Sequence, residues 1–393
     1  MQNNSAVPSS KNCLINSSTF AASFSFALKK VFLFGIILTV FNSTTAQVVN
    51  PAMLDTSASV HLGKITIGAY VDAYFGADVN EYKSGNRPYF VSSARRKEVN
   101  INLALIHLHY NGNRVRLHLA PGFGTYMAAN YANEPAGLRN LVEANAGVCL
   151  SQKRGIWLDA GVLGSPYTNE SAISKDHLMY SRSLSAEYVP YYLSGVKLTL
   201  PLNNKLTLYL YGLNGWQKIA TEQYAGSGGT QLEYKINNNL LVNWNTYVGN
   251  ERNNSVDTKR MRYFTDVYWI YNRNKFSATS CAYIGLQNYA DKSSNIWWQA
   301  NFIARYRFHQ LFSLSARAEY FSDPDQVMIV PVNNVPGSSI FSGGLSACFH
   351  IDEHALVRFE GRYFNATEKI YNNQNSEAIN QSIMLVANIT AWF

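Results

Sequence analysis

The sequence predicts an all-β fold: a single closed transmembrane antiparallel β-barrel of about sixteen strands, with short turns at one end and long loops at the other. Three observations predict it. Apolar residues recur with a period of two along most of the 393 residues, as in strands with one apolar and one mixed face. Charged residues are only 15%, against roughly 25% in ordinary soluble domains, and aromatics reach 13%, yet mean hydropathy is −0.15. Connections between the alternating runs switch strictly between tight and long. Membrane helices would need runs of about 20 apolar residues, which this chain lacks. In lipid every backbone N–H and C=O must be paired internally, so strands cross only as a closed barrel.

The one continuous apolar run, Val31 to Phe41, follows Lys29 and Lys30 and precedes Thr44-Thr45-Ala46. Basic residues, an apolar run and a small-residue site describe a secretory signal peptide. Residues 1–46 are therefore expected to be removed, leaving Gln47 as the first mature residue. Residues 47–62 form a short N-terminal extension, too short for a plug domain, and residues 63–393 the barrel. No Cys stands at the cleavage point, so no lipid anchor is expected. Lys11, Lys29 and Lys30 leave with the signal, and the mature chain stays mildly basic. Its Lys and Arg are dispersed, which argues against a nucleic-acid partner.

The strands follow in order. Ile65, Ile67, Ala69, Val71, Ala73 and Phe75 share one face, with Thr66, Tyr70, Asp72 and Tyr74 on the other. Runs at 99–110 and 114–122 flank Asn111-Gly112-Asn113, a strong hairpin signal. Further runs lie near 140–150, 155–163, 189–200, 205–214, 228–236, 240–249, 262–271, 275–287, 295–308, 311–321, 340–350 and 355–365. Long polar loops at 76–98, 123–139, 164–188, 214–227, 250–261, 288–294, 322–339 and 366–379 separate the hairpins. The last run, Asn380 to Phe393, places Ile383, Leu385, Ala387, Ile389 and Ala391 on one face and ends on an aromatic. It has the length a tilted strand needs to cross a bilayer, about 9–11 residues.

Parity also assigns the inner wall. Outward Trp298, Phe302, Tyr306 and Phe308 put Arg305 and Arg307 inside. By the same rule Arg317 and Glu319 point inward, as do Arg358, Glu360 and Arg362, and Arg114, Arg116 and His118. An Arg facing lipid at the midplane would cost ~2–4 kcal/mol, which fixes these phases. Lys235 and these arginines oppose Asp72, Asp159, Glu233, Asp266, Glu319 and Glu360, a small basic excess. Trp298, Phe308, Tyr320, Tyr363 and Phe393 are expected at the lipid interface. His107 and His109 share a face and continue the apolar parity of their strand, so an interfacial girdle position is expected in preference to a metal site. Arg95, Arg96 and Lys97 are expected to be solvated or to face lipopolysaccharide, and Cys149, Cys281 and Cys348 to be packing residues. No nucleophile elbow, phosphate loop or H-E-x-x-H helix is present, so no catalytic residue, metal or cofactor is expected.

The opening strand Ile67-Gly68-Ala69-Tyr70-Val71-Asp72-Ala73-Tyr74, the segment Val189-Pro190-Tyr191-Tyr192-Leu193-Ser194-Gly195-Val196 and the terminal Trp392-Phe393 resemble the OmpL-like β-barrel porins of Gram-negative bacteria. The resemblance implies an outer-membrane channel for passive diffusion of small hydrophilic solutes or ions, and the small basic excess of the inner wall adds an expected mild anion preference. It implies lipid, lipopolysaccharide and small solutes as partners, with the assembly machinery reading the strand that ends at Phe393. It leaves open whether the barrel is a homotrimer. In porins the third long loop commonly folds into the lumen, which makes Glu170, Lys175, Asp176, Arg182 and Glu187 constriction candidates. The competing expectations are a barrel with a filled lumen, structural or adhesive, and an outer-membrane barrel hydrolase.

Overall fold

The structure, a computed structural model, describes residues 59–80, 85–221, 226–251, 260–289 and 293–393. The expected signal peptide lies outside the described residues, as does most of the extension. The barrel strands are β1 (Ile65–Asp78), β2 (Val99–Asn111), β3 (Val115–Phe123) and β4 (Leu141–Ser151). Then come β5 (Ile156–Gly164), β6 (Tyr192–Pro201), β7 (Leu206–Leu213) and β8 (Ser227–Asn237). β9 (Leu240–Asn250), β10 (Met261–Arg273), β11 (Phe276–Asn288) and β12 (Ser294–His309) follow. The last four are β13 (Phe312–Asp323), β14 (Ser338–His350), β15 (Ala355–Ala366) and β16 (Gln381–Trp392).

Each strand pairs antiparallel with its sequence neighbour, and β16 pairs with β1 from Met384↔Asp78 to Trp392↔Tyr70. Phe393 extends that seam: its N–H donates to the Ala69 carbonyl and its own carbonyl accepts from the Ala69 N–H, both at 3.0 Å. The sixteen-strand ring is thus closed and leaves no sheet edge. A short strand, Val60–Leu62, folds back onto the start of β1.

Strand ends fall within about three residues of the sequence expectation, and one of these differences bears on the site. The run expected from residue 189 starts at Tyr192, so the third long loop spans residues 165–191. Pro190 has no N–H to give a ladder, and the Tyr191 N–H donates instead to Gln217 Oε1 at 2.9 Å.

A second difference changes which face a side chain occupies. β1 and β2 slip register between Asp72↔Leu103 and Ala73↔Ile101, leaving Asn102 as an extra residue. Asn102 is held by Asp72, whose Oδ2 accepts from Asn102 Nδ2 at 3.0 Å. A bulge of one residue inverts the parity that follows it. His107 and His109 therefore point into the barrel and are buried, not placed on the lipid-facing girdle.

The lipid-facing surface is apolar along the other strands, with Leu345, Phe359, Leu385 and Ile389 among its exposed side chains. Near the short turns Tyr306, Phe308, Phe312, Phe349 and Phe359 form a chain of ring contacts on the outside. Trp298 and Tyr320 pack together on the same outer wall, ring centroids 5.2 Å apart. The hydrophobic core sits inside the barrel. Tyr167, Tyr180, Leu184 and Val189 of loop 165–191 pack there with Phe264, Tyr268, Trp297, Phe321, Phe364 and Met384 of the wall.

Candidate functional site: the lumen and its inserted loop

Loop 165–191 enters the lumen and is held mainly through its own backbone. The wall supplies carboxylates where the loop presents N–H groups. Asp266 Oδ2 on β10 accepts from the Thr168 N–H at 2.7 Å. Glu360 Oε2 on β15 accepts from the N–H groups of Tyr180 and Ser181, at 2.7 and 3.2 Å. Glu319 Oε2 on β13 accepts from the Leu184 N–H at 2.7 Å. Where the loop presents carbonyls, the wall supplies donors. Arg358 Nη1 donates to the Ser174 carbonyl at 2.6 Å and Arg362 Nη1 to that of Arg182 at 2.7 Å. Arg305 donates to the His177 carbonyl, and Ser315 Oγ to that of Leu178 at 2.5 Å. Buried backbone groups must be paired, and here the barrel wall pairs what a surface loop would leave to water.

Ion pairs complete the attachment. Arg317 Nη2 lies 2.9 Å from Glu170 Oε1, and Arg362 pairs with Glu319. Glu170 also accepts from the N–H and Oγ of Ser183, at 2.7 and 2.5 Å. Arg182 stacks between Tyr126 and Tyr191, its guanidinium carbon 4.7 and 4.1 Å from the two ring centroids. Glu187 Oε2 accepts from the Val91 N–H at 2.8 Å, and burial raises its carboxyl above the usual range. His177, buried and facing Arg182, Arg358 and Arg317, is held well below the usual histidine value, chiefly by burial.

The loop descends far. Ser174 Oγ meets Tyr70 Oη at 2.8 Å, and Lys175 Nζ lies 5.6 Å from the ring centroid of Trp392, next to the last residue of the chain. Lys175 pairs with Asp176 at 2.9 Å; Asp176 is the exposed one of the pair. Glu170, Arg182 and Glu187, grouped with Lys175 and Asp176 as constriction candidates, are buried in contacts that hold the loop and do not face water.

The inner-wall residues divide into two sectors. On β12–β15, Arg305, Arg317, Glu319, Arg358, Glu360 and Arg362 point inward but lie against the loop; the Arg317 and Arg362 side chains are 0% exposed. On β3–β8 the inner wall is wetter. Arg116 pairs with Asp159 and lies 4.5 Å from the Trp157 ring centroid, with 23% of its side chain exposed. His118 is 25% exposed with Nδ1 3.7 Å from Glu143, and Lys197 26% exposed with Nζ 3.9 Å from Asp159. Lys235 Nζ is 3.6 Å from Glu233, with 48% of its side chain exposed. Two expected pore-lining residues lie at the rim. Arg114 sits in the turn before β3, and Arg307 near the end of β12; both are exposed beyond the part of the strand that the lumen covers. Tyr70, Asn245, Asn301 and Ser315, which also anchor the loop or its carboxylates, share the inward parity but carry no charge that would single them out.

Among curated proteins none matches the chain by sequence. The family model "Putative beta-barrel porin-2, OmpL-like" matches residues 64–392. Solved structures share the fold at low identity. An anion-selective porin from Comamonas acidovorans superposes with a TM-score of 0.55 at 7% identity, over 84% of this chain and 99% of that one. The trimer form of OmpT, an outer membrane protein of Vibrio cholerae, gives 0.53 at 10% identity, over 84% and 99%. Salmonella typhi OmpF in complex with daunomycin gives 0.54 at 11%, over 85% and 100%. The match across the barrel, the sixteen strands and the closing seam agree: this outer-membrane β-barrel belongs to the OmpL-like β-barrel porin family.

Proposed function

We propose that the barrel is a passive channel for small hydrophilic solutes or ions, whose water path runs along the β3–β8 wall beside the inserted loop. The observation that carries this reading is the contrast in exposure between the two sectors. Arg317, Glu319, Arg358, Glu360 and Arg362 against the loop are sealed, while Arg116, His118, Lys197 and Lys235 keep about a quarter to a half of their side chains in water. On that wall the cations are the wetter partners: Asp159 and Glu233 are only 2% and 5% exposed. A permeating ion therefore meets the basic member of each pair first, which supports a mild anion preference. Selection works by path width and wall charge, with no catalytic step. The porin named anion-selective shares this fold and the OmpT neighbour is described in a trimer form, which supports both the preference and a homotrimer as readings for this chain.

A second reading has its own support. The loop is bonded to β10, β12, β13, β15 and β1 through its main chain, as expected of a filled, structural barrel. Single-channel recording in a planar bilayer under a salt gradient separates them. Stable open steps with an anion-sign reversal potential support the channel; a folded barrel without conductance supports the filled lumen.

A further inference from the structure

The second long loop also folds into the barrel, on the side of the proposed water path. Its helix α1 (Thr125–Asn130) buries Tyr126 and Met127 against inward-facing Leu103 and Leu105 of β2 and Ala120 of β3. Gly122 on β3 makes that approach possible: a Cβ there would sit 2.5 Å from Val142 Cγ2 and 3.4 Å from Met127 Sδ. After α1, Tyr131 stacks on Tyr192 at the start of β6, ring centroids 4.2 Å apart. The long-loop half of the β3–β6 sector is thus filled by an apolar core, while its short-turn half carries the part-exposed Arg116, His118 and Lys197.

Glu134 fastens this filling to two other segments. It is 4% exposed; its Oε1 accepts from Tyr192 Oη and from the Ile219 N–H, both at 2.8 Å, and its Oε2 from the Ala220 N–H at 3.2 Å. Ile219 packs onto the same apolar core. Gln217 donates Nε2 to Asn130 Oδ1 at 3.0 Å, and its φ of +57° lies in the left-handed region that a non-glycine residue enters at a cost. The β7–β8 connection is therefore drawn across to the β3–β4 connection and held there chiefly by one carboxylate. An ionised acceptor makes each of these hydrogen bonds stronger than a neutral one would.

We propose that Glu134 is a specificity-determining residue of the channel: by bolting segment 215–220 and the start of β6 onto the second loop, it fixes the width of the outer end of the β3–β8 path, and so the largest neutral solute that passes. This rests on the channel reading and adds to it a size limit set among the long loops, separate from the charges that meet water near the short turns. Without the carboxylate three donors lose their acceptor at once, and the segments part more readily.

The test compares the folded barrel with Glu134→Ala in a liposome-swelling assay, using neutral sugars from a pentose to a trisaccharide so that wall charge plays no part. Swelling is expected to extend to larger sugars in the variant than in the wild type. Hydrogen exchange of the same barrels in detergent reads the bolt by itself. The Ile219 and Ala220 amides should exchange about tenfold faster or more, the worth of one hydrogen bond to a charged group. Should Glu134→Ala fail to fold, Glu134→Gln carries the test, because it keeps the shape and leaves one acceptor oxygen for donors that now meet two. Faster exchange with an unchanged size limit overturns the proposal. Barrels that pass no sugar in either form, with exchange raised, sink the channel reading and the size limit with it. Intact wild-type permeation with unmoved exchange sinks the bolt alone.

Discussion

Arg317 Nη2 donates to Glu170 Oε1 at 2.9 Å, and through this bond the wall strand β13 grips a loop residue 147 positions earlier in the chain. The pair is sealed, with side chains 0% and 2% exposed. Arg317 also donates to the Ser181 carbonyl at 2.6 Å and lies close to Glu319 and Glu360. Removing it leaves several buried carboxylates short of a cation. Arg317→Met is expected to cost about 3–5 kcal/mol of barrel stability or to free the loop instead. Urea unfolding in detergent measures the first outcome, and a rise in single-channel conductance the second. A variant unchanged in both contradicts the clamp.

Glu319 and Arg362 test whether the anchors act together. Glu319 takes the Leu184 N–H as well as the Arg362 guanidinium. Glu319→Gln and Arg362→Gln should each destabilise, and the double variant by less than their sum. The expected coupling is about 0.5–3 kcal/mol. Strict additivity in a double-mutant cycle would show that the bond carries no energy of its own.

On the proposed channel reading, the β3–β8 wall sets selectivity. Lys197→Gln and Lys235→Gln together remove the two part-exposed lysines of that wall and leave the Arg116–Asp159 pair intact. Reversal potential should move toward cation preference with conductance little changed. An unmoved potential would place the ion path elsewhere.

His177 predicts a pH dependence. Burial and the nearby arginines keep it neutral in the folded lumen, while the unfolded side chain takes up a proton near pH 6.5. The unfolded chain therefore binds more protons below that pH, and stability falls as pH drops, by up to about 1.4 kcal/mol per unit. Its Nε2 lies 3.0 Å from the Ser171 carbonyl. His177→Gln keeps a donor there and should flatten the stability profile between pH 7 and 5. Equal slopes in both proteins would rule out this histidine as the cause.

Phe393 closes the ring. Deleting it removes both backbone bonds to Ala69 at the seam of β16 and β1. The yield of folded, protease-resistant barrel should fall, and Phe393→Tyr should restore it, since the backbone bonds and an aromatic ring are kept.

Most of the barrel was legible because each strand carries its own record of which face meets lipid. Outward Phe302 and Tyr306 locate inward Asn301 and Arg305 without any tertiary information. Two features were not legible, each for a physical reason. The Asn102 bulge depends on how β2 pairs with β1, so extrapolating the parity of one strand sent His107 and His109 to the wrong face. The depth of loop 165–191 was hidden because the wall binds its main chain. Any sequence offers N–H groups such as those of Thr168, Tyr180 and Leu184, and only the opposing Asp266, Glu360 and Glu319 mark where they dock. Those carboxylates were visible as inward charges, but as residues facing water instead of residues holding a loop.

The decisive measurement is single-channel conductance of the folded barrel in a planar bilayer under a salt gradient. A water path along β3–β8 predicts stable open steps, an anion-sign reversal potential, and a shift toward cations when Lys197 and Lys235 are neutralised. A correctly folded barrel that passes no current would contradict it, and would make loop 165–191 a permanent filling.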